Sequence, residues 1–178
     1  MKILVTGATG FVGKVLARKL VSLGHKVSVL TRDIESAQKR LPLLCEFHKW
    51  EPELYPPSSQ AFEHVDAVIH LAGENIADGR WTKKRKNSIK SSRVLSTRNL
   101  VSTLASMQNP PKIFISSSAV GFYGKNKPVE LYEDLDSGKD FLSNVCKEWE
   151  QEAFKAKDYN IRTVALRIGI VLGYEGGC

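Results

Sequence analysis

Apolar positions along the chain fall into two kinds of segment that alternate. Short runs rich in β-branched residues occupy 3–6, 27–30, 45–50, 67–71, 113–116 and 163–172. Between several of them lie longer stretches whose apolar residues recur at helical spacing. The clearest covers 11–23, with Phe11, Val12, Val15, Leu16, Leu20 and Leu23; others are expected over 84–106 and 141–157. Strands separated by helices of this length predict βαβ units and a parallel sheet. Most of the strand runs are continuously apolar rather than alternating, as expected when helices cover both faces of the sheet. Gly24 is placed to end the first helix, because a glycine past the last turn takes positive φ without a Cβ penalty. Two segments read as loops: 51–59, with Pro52, Pro56 and Pro57, and 125–139, acidic and rich in turn formers. The pattern predicts a Rossmann-type doubly wound α/β fold, one domain over 1–178.

The turn between the first strand and first helix reads Gly7-Ala8-Thr9-Gly10-Phe11-Val12-Gly13. A strand delivering the chain to a tight glycine turn, then a helix with free N–H groups and a positive dipole end, is built to hold a phosphate. Gly7 is expected to permit the turn, Gly10 to admit a pyrophosphate against the backbone, and Gly13 to let helix pack on strand. The spacing is one residue longer at the first gap than the common dinucleotide fingerprint, but its place between strand and amphipathic helix makes the assignment. Thr6, Gly7, Thr9, Gly10, Phe11, Val12 and Gly13 are therefore candidate cofactor-binding residues.

The end of the second strand selects the cofactor. An acidic residue there would hold the ribose 2′-hydroxyl of NAD; this chain has Thr31-Arg32, and a guanidinium suits a 2′-phosphate. Asp33 follows and weighs slightly the other way. The expected cofactor is NADP, in preference to NAD.

Bulk properties narrow the partners. Of 178 residues, 42% are hydrophobic and 25% charged, an ordinary globular composition. The net charge of +7 is concentrated in Arg80, Lys83, Lys84, Arg85, Lys86, Lys90, Arg93 and Arg98. No aromatic residues interleave as stacking platforms and no nucleic-acid motif accompanies them, so the cluster reads as a solvated helix face, with contact to phosphate groups of cofactor or substrate as the alternative, and not as a nucleic-acid surface. No apolar run approaches the roughly 20 residues that span a bilayer. Cys45, Cys146 and Cys178 make no metal-ligand spacing, and no metal is expected. Sparse cysteines, and a strand directly after Met1-Lys2 with no targeting segment, suggest a cytoplasmic protein.

With these residues in place, the chain resembles the extended short-chain dehydrogenase/reductases, which include nucleotide-sugar epimerases. The likeness rests on the Thr6–Gly13 loop, His70-Leu71-Ala72-Gly73, Ser116-Ser117-Ser118-Ala119 and Leu166-Arg167. It looks more closely like the atypical "epimerase family protein" subgroup, through Leu71-Ala72-Gly73-Glu74-Asn75-Ile76, Arg80-Trp81-Thr82, Ser92-Arg93, Gly121-Phe122-Tyr123-Gly124 and Val171-Leu172-Gly173. Such proteins run to roughly 300 residues as the resemblance implies, so a carboxy-terminal substrate subdomain is expected to be absent from this chain. The abrupt end at 173–178 agrees with that expectation.

The resemblance implies further site residues. Leu71, Ala72, Gly73, Glu74 and Ser116 join the cofactor set, and Ser118 takes the position that touches the reacting carbonyl or hydroxyl. The resemblance also implies a Tyr-x-x-x-Lys pair on the next helix, where the lysine lowers the tyrosine pKa. Here that helix reads Phe141-Leu142-Ser143-Asn144-Val145-Cys146-Lys147-Glu148-Trp149-Glu150. One register puts Phe141 and Val145 at the pair; the register marked by Glu150 puts Leu142 and Cys146 there. Neither supplies an acid or base, and Lys147 lies about 100° round the helix from Cys146. Tyr123 is the substitute acid or base candidate. Asn75, Arg80, Trp81 and Arg93 are candidates for contact with an unidentified small-molecule substrate. Two functions follow: an NADP-dependent oxidoreductase or epimerase-like enzyme with an unusual acid–base set, or a non-catalytic NADP(H) sensor.

Overall fold

The computed structural model describes residues 1–125, 130–173 and 176–177. In chain order the elements are β1 (Lys2–Thr6), α1 (Phe11–Ser22), β2 (Lys26–Thr31), α2 (Ile34–Arg40), β3 (Cys45–Lys49), β4 (Ala67–His70), α3 (Lys83–Ser106), β5 (Ile113–Ala119), α4 (Phe141–Phe154), β6 (Arg162–Ile168), β7 (Leu172–Gly173) and β8 (Gly176–Gly177). The first six strands form one parallel sheet in the order β3-β2-β1-β4-β5-β6. The order reverses direction at β1, which leaves a crevice between the carboxyl ends of β1 and β4, where sheets of this kind take ligands. This is the expected Rossmann-type doubly wound α/β fold.

The continuous apolar runs are explained by two separate cores. Successive strand residues point to opposite faces. Ile3, Val5, Val27 and Val29 pack with Ala17 of α1, while Leu4, Leu30, Val68 and Phe114 pack on the other face with Leu100, Val101 and Leu104 of α3. Each face needs its own apolar set, so no alternation remains to be seen. Gly24 does close α1 with φ +80°.

Several boundaries differ from the sequence expectation. The helix α2 was not anticipated: it is seven residues long, mostly polar, and buries only Ala37, too little for a periodicity to emerge. Its start is fixed instead by Asp33, whose carboxylate accepts the Ser36 N–H at 3.0 Å. The strand β5 runs to Ala119 rather than ending at 116, because Ser117, Ser118 and Ala119 keep pairing with Leu166, Arg167 and Ile168. The strand expected over 163–172 is broken. It stops at Ile168, and Leu172–Gly173 pairs instead with Gly176–Gly177 in a two-stranded antiparallel ribbon. Ile170 and Leu172 suggested a strand by their type, yet they are 76% and 78% exposed. The helix expected over 141–157 gives way at Lys155 to a 3-10 turn, closed by Asn160 with φ +59°. Of the loop read over 125–139, residues 126–129 lie outside the described residues, as do Tyr174, Glu175 and Cys178 at the chain's end. No helix among the described residues is long and apolar enough to cross a membrane.

Phe114 of β5 is packed into the α3-side core with no exposed surface. Replacement by alanine should lower stability by about 3–5 kcal/mol, read as a shift in the urea midpoint at unchanged slope. A loss under about 1 kcal/mol would show that the α3-side core collapses onto the gap.

Candidate functional site

The glycine turn is dictated by close approach. Gly7 has φ +68°, and a Cβ there would stand 2.7 Å from the carbonyl carbon of Leu71. A Cβ on Gly13 would lie 2.1 Å from the Gly7 carbonyl oxygen. Side chains at these positions would separate α1 from β1 and from the end of β4. Gly10 differs: its nearest obstacle is the Gly7 oxygen at 3.2 Å, and it faces outward as the N-cap of α1. No side chain caps this helix and no acidic residue occupies its first turn. The leading N–H groups and the positive end of α1 are thus left without an anionic partner from the protein. These features fit a dinucleotide pyrophosphate.

A cleft of about 240 Å³ opens over this turn. Of the cofactor candidates, Thr6, Gly7, Thr9, Gly10, Arg32, Leu71, Ala72, Gly73 and Glu74 line it. Gly13 supports the turn from behind. Phe11 and Val12 line a different groove of about 800 Å³ between α1 and Val171–Gly173. Ser116 is buried within the sheet, its hydroxyl donating to the Ser117 carbonyl at 3.2 Å.

Seven lining residues were not site candidates from sequence: Leu30, Thr31, Arg40, Trp50, Pro52, Glu53 and Ser92. Arg40 stands at the last position of α2, so its approach to Arg32 depends on a helix too short to be read from the pattern. Trp50, Pro52 and Glu53 belong to the proline-rich segment after β3. That segment is pinned across α3: Asn99 donates to the Pro52 carbonyl at 2.9 Å and Thr103 to that of Pro57 at 2.8 Å. The Trp50 indole N–H donates to the Tyr55 carbonyl at 2.8 Å. Its prolines mark a loop, but nothing local says that the loop folds back as a cleft wall. Asp33, whose carboxylate weighed toward a ribose acceptor in the sequence, is engaged in capping α2.

Beneath the cleft lies a fully buried histidine. His70 Nδ1 is 2.6 Å from Thr6 Oγ1, and Nε2 is 3.0 Å from Thr97 Oγ1. The protons can be assigned from their neighbours. Thr97 spends its single hydroxyl proton on the Arg93 carbonyl at 2.6 Å, so it accepts from Nε2–H. Nδ1 is then bare and accepts from Thr6, whose oxygen in turn accepts the Ala72 N–H at 3.2 Å. One neutral ring therefore ties the end of β1, the end of β4 and the middle of α3. Burial pushes the imidazole pKa down to about 3.

The carboxyl end of β5 carries a second cluster. The Ser118 hydroxyl donates to Glu150 Oε1 at 2.6 Å. Arg167 of β6 grips both oxygens of Glu150, through Nε at 2.9 Å and Nη2 at 3.0 Å. Its Nη1 donates to the Tyr123 hydroxyl oxygen at 2.9 Å and to the Glu133 carbonyl at 2.9 Å. The guanidinium carbon lies 3.5 Å from the Phe122 ring centroid. The Glu150 carboxylate and the Tyr123 hydroxyl raise the Arg167 pKa further, so it stays charged. Ser118 and Tyr123 are thus joined, through Glu150 and Arg167. In sequence Glu150 had only marked a register and Arg167 only a strand; pairing of Ser118 with Arg167 across β5 and β6 is what brings them together. On α4, Leu142 Cβ and Cys146 Sγ lie 3.6 Å and 3.9 Å from where a Cβ on Gly121 would stand. Burial raises the Cys146 thiol pKa.

The substrate candidates divide. Asn75 builds its own turn, accepting from Ala77 N–H at 3.0 Å and donating to Asp78 at 2.9 Å. Arg80 is exposed. Trp81 donates to the Ile76 carbonyl at 2.9 Å and meets Phe141 edge-on at 5.8 Å between centroids. Glu74 is paired with Arg85 at 2.6 Å. Arg93 reaches Gly73, at the wall of the cleft. No group of three or more His, Cys, Asp and Glu able to hold a metal occurs among the described residues.

His70 supplies a pH signature. The unfolded chain takes up its proton near 6.5, while the folded chain resists until about 3. Its contribution is complete above pH 6.5 and drains as pH falls through that window, by up to ~1.4 kcal/mol per pH unit. Between about pH 7 and about pH 4, His70→Asn should therefore lose stability less steeply than the unaltered chain in urea titrations. Equal slopes would contradict a neutral buried ring.

Known proteins place this architecture. The family model described as "NAD dependent epimerase/dehydratase family" matches residues 3–177. The epimerase family protein YfhF of Bacillus subtilis is 39% identical over 178 residues, covering 99% of this chain and 57% of its own length. The human epimerase family protein SDR39U1, whose crystal structure contains NADPH, superposes with a TM-score of 0.81 at 30% identity, over 99% of this chain and 56% of that one. A nucleoside-diphosphate sugar epimerase from Corynebacterium glutamicum gives a TM-score of 0.80 at 34% identity, over 99% of this chain and 35% of the other. The chain spans little more than half the length of the curated relatives it matches. With its glycine turn, switch-point crevice and matched span, the chain belongs to the NAD dependent epimerase/dehydratase family.

Proposed function

We propose that the full-length protein binds NADP(H) and uses it to oxidise or reduce a hydroxyl- or carbonyl-bearing carbon of a small molecule. NADP, rather than NAD, is supported by Arg32 and Arg40 at the rim of the cleft, by the engagement of Asp33 in a helix cap, and by the NADPH held in the human SDR39U1 structure. Thr6, Gly7, Thr9, Gly10, Leu71, Ala72, Gly73 and Glu74 would form the cradle, with Phe11, Val12 and Gly13 contributing the first turn of α1. When bound, the nicotinamide takes up or gives the hydride.

The observation that carries the catalytic reading is the Ser118–Glu150 hydrogen bond, held by Arg167. Ser118 donates to Glu150, so its lone pairs remain open to a substrate hydroxyl. In the oxidative direction the substrate proton passes to Ser118 Oγ while the serine's own proton passes to Glu150 Oε1. In the reductive direction both transfers reverse. Arg167 pairs with both Glu150 oxygens and keeps one of them on Ser118. The Tyr123 hydroxyl accepts from Arg167 and keeps its own proton to donate, which makes it the second acid. This division of labour needs nothing from Leu142 or Cys146. A non-catalytic NADP(H) sensor is the second reading, favoured by the burial of Ser118, only 3% exposed.

In full-length protein, Ser118→Ala should reduce NADPH-dependent turnover of a carbonyl substrate by ~100-fold or more while leaving the NADPH dissociation constant unchanged. Tight NADPH binding without turnover across a broad carbonyl panel would favour the sensor. Arg32→Ala should weaken NADPH binding by about 1.5–3 kcal/mol and hardly affect NADH. Equal losses for both cofactors, measured by nicotinamide fluorescence titration, would remove the 2′-phosphate assignment.

A further inference from the structure

Arg93 is a cation that forms no salt bridge among the described residues. It stands on α3, half-buried, and burial lowers its pKa. One of its N–H donors goes to the Ile89 carbonyl at 3.1 Å; the others find no acceptor among the described residues. Glu74, whose negative charge acts on Arg93, is itself paired with Arg85, and the carboxylates of α4 have their own cations. Glu150 is held by Arg167, Glu148 by Lys90, and Glu152 by Arg98 and Lys155. What supports Arg93 is the face of Trp149, with the guanidinium carbon 5.4 Å from the ring. The Trp149 indole N–H is itself buried and without an acceptor among the described residues. The remaining N–H donors of Arg93 have no acceptor among the described residues and are not sealed from solvent, so they stay open to a ligand.

Its position is equally informative. The guanidinium carbon lies 3.2 Å from where a Cβ on Gly73 would stand, so Arg93 touches the wall of the cofactor cleft. On its other side is Trp149 of α4, the residue before Glu150, whose carboxylate accepts from Ser118. Arg93 therefore stands between the dinucleotide cleft and the Ser118 cluster, where a substrate must lie to reach both. A guanidinium packed on an aromatic face presents its N–H edge as a planar fork, which matches a carboxylate.

We infer that Arg93 is the anion-binding residue of the substrate site and that the substrate carries a carboxylate close to the carbon that exchanges hydride. The inference rests on reading the cleft as an NADP(H) site with Ser118 at the reacting oxygen. It deepens that reading to a class: hydroxy or oxo acids, held by their carboxylate.

Binding tests this without requiring turnover. Oxalate is a planar dicarboxylate with no reducible ketone or aldehyde, and oxamide is its neutral counterpart. Both are titrated calorimetrically into full-length protein saturated with NADPH. Oxalate should bind, and oxamide about tenfold or more weaker. Arg93→Gln should weaken oxalate about tenfold or more, with Arg93→Lys in between, while NADPH affinity stays within about twofold. Oxalate binding that survives Arg93→Gln, or no oxalate binding by the unaltered protein, overturns the inference. So does a loss of NADPH affinity as large as that of oxalate, which would give Arg93 to the cofactor's phosphates. If both variants lose their cooperative thermal transition, Arg93 is structural and the inference also fails. Arg93-dependent oxalate binding in a protein inert toward every carbonyl compound would sink the catalytic reading but keep the anion site. Turnover without such binding would do the reverse.

Discussion

The contact on which this molecule depends is the approach of α1 to the end of β1, so close that only hydrogen fits between them at Gly13. Nothing in the apolar core requires it. Its effect is to aim the first turn of α1, free of acidic residues and of a side-chain cap, across the mouth of the crevice. The loop after β4 closes the other side, with Leu71 against Gly7 at a distance no side chain would tolerate. His70 locks the arrangement from below, holding Thr6 and Ala72 in one hydrogen-bonded set. A phosphate site built this way is made of backbone, and its shape is settled before any ligand arrives.

The Ser118 cluster is built from side chains instead. Ser118, Glu150, Arg167 and Tyr123 come from β5, α4, β6 and the turn after β5, and each is oriented by the next. The parallel pairing of β5 and β6 runs three residues further than the apolar pattern indicated, which is what carries Ser118 opposite Arg167. Between the two ends runs α3. Thr97 meets His70 on one side and the Arg93 carbonyl on the other.

What could be read from the sequence follows the same division. Gly7, Gly10 and Gly13 were legible because glycine, strand and helix signals are all local and lie within a dozen residues. The sheet was legible because runs buried on both faces are apolar throughout. α2 was not, since one buried alanine in seven residues makes no period, though Asp33 and Ser36 are recognisable afterwards as its cap. Ile170 and Leu172 misled by residue type, because apolar character alone does not distinguish a strand from an exposed segment. Glu150 and Arg40 are ordinary charged helix residues until a neighbour from elsewhere in the chain gives them a role. Long-range pairing of charged side chains leaves no periodic trace.

One consequence concerns how readily such a protein changes its cofactor. Arg32 and Arg40 are both exposed, outside either core, and Asp33 already places a carboxylate at the start of α2. An acidic residue at position 32 would meet the positive end of that helix, which favours it electrostatically. Preference between the two dinucleotides is therefore separable from folding and open to drift by single substitutions. The glycine turn offers no such freedom. Evolution can retune which dinucleotide enters this crevice far more cheaply than it can give the crevice up.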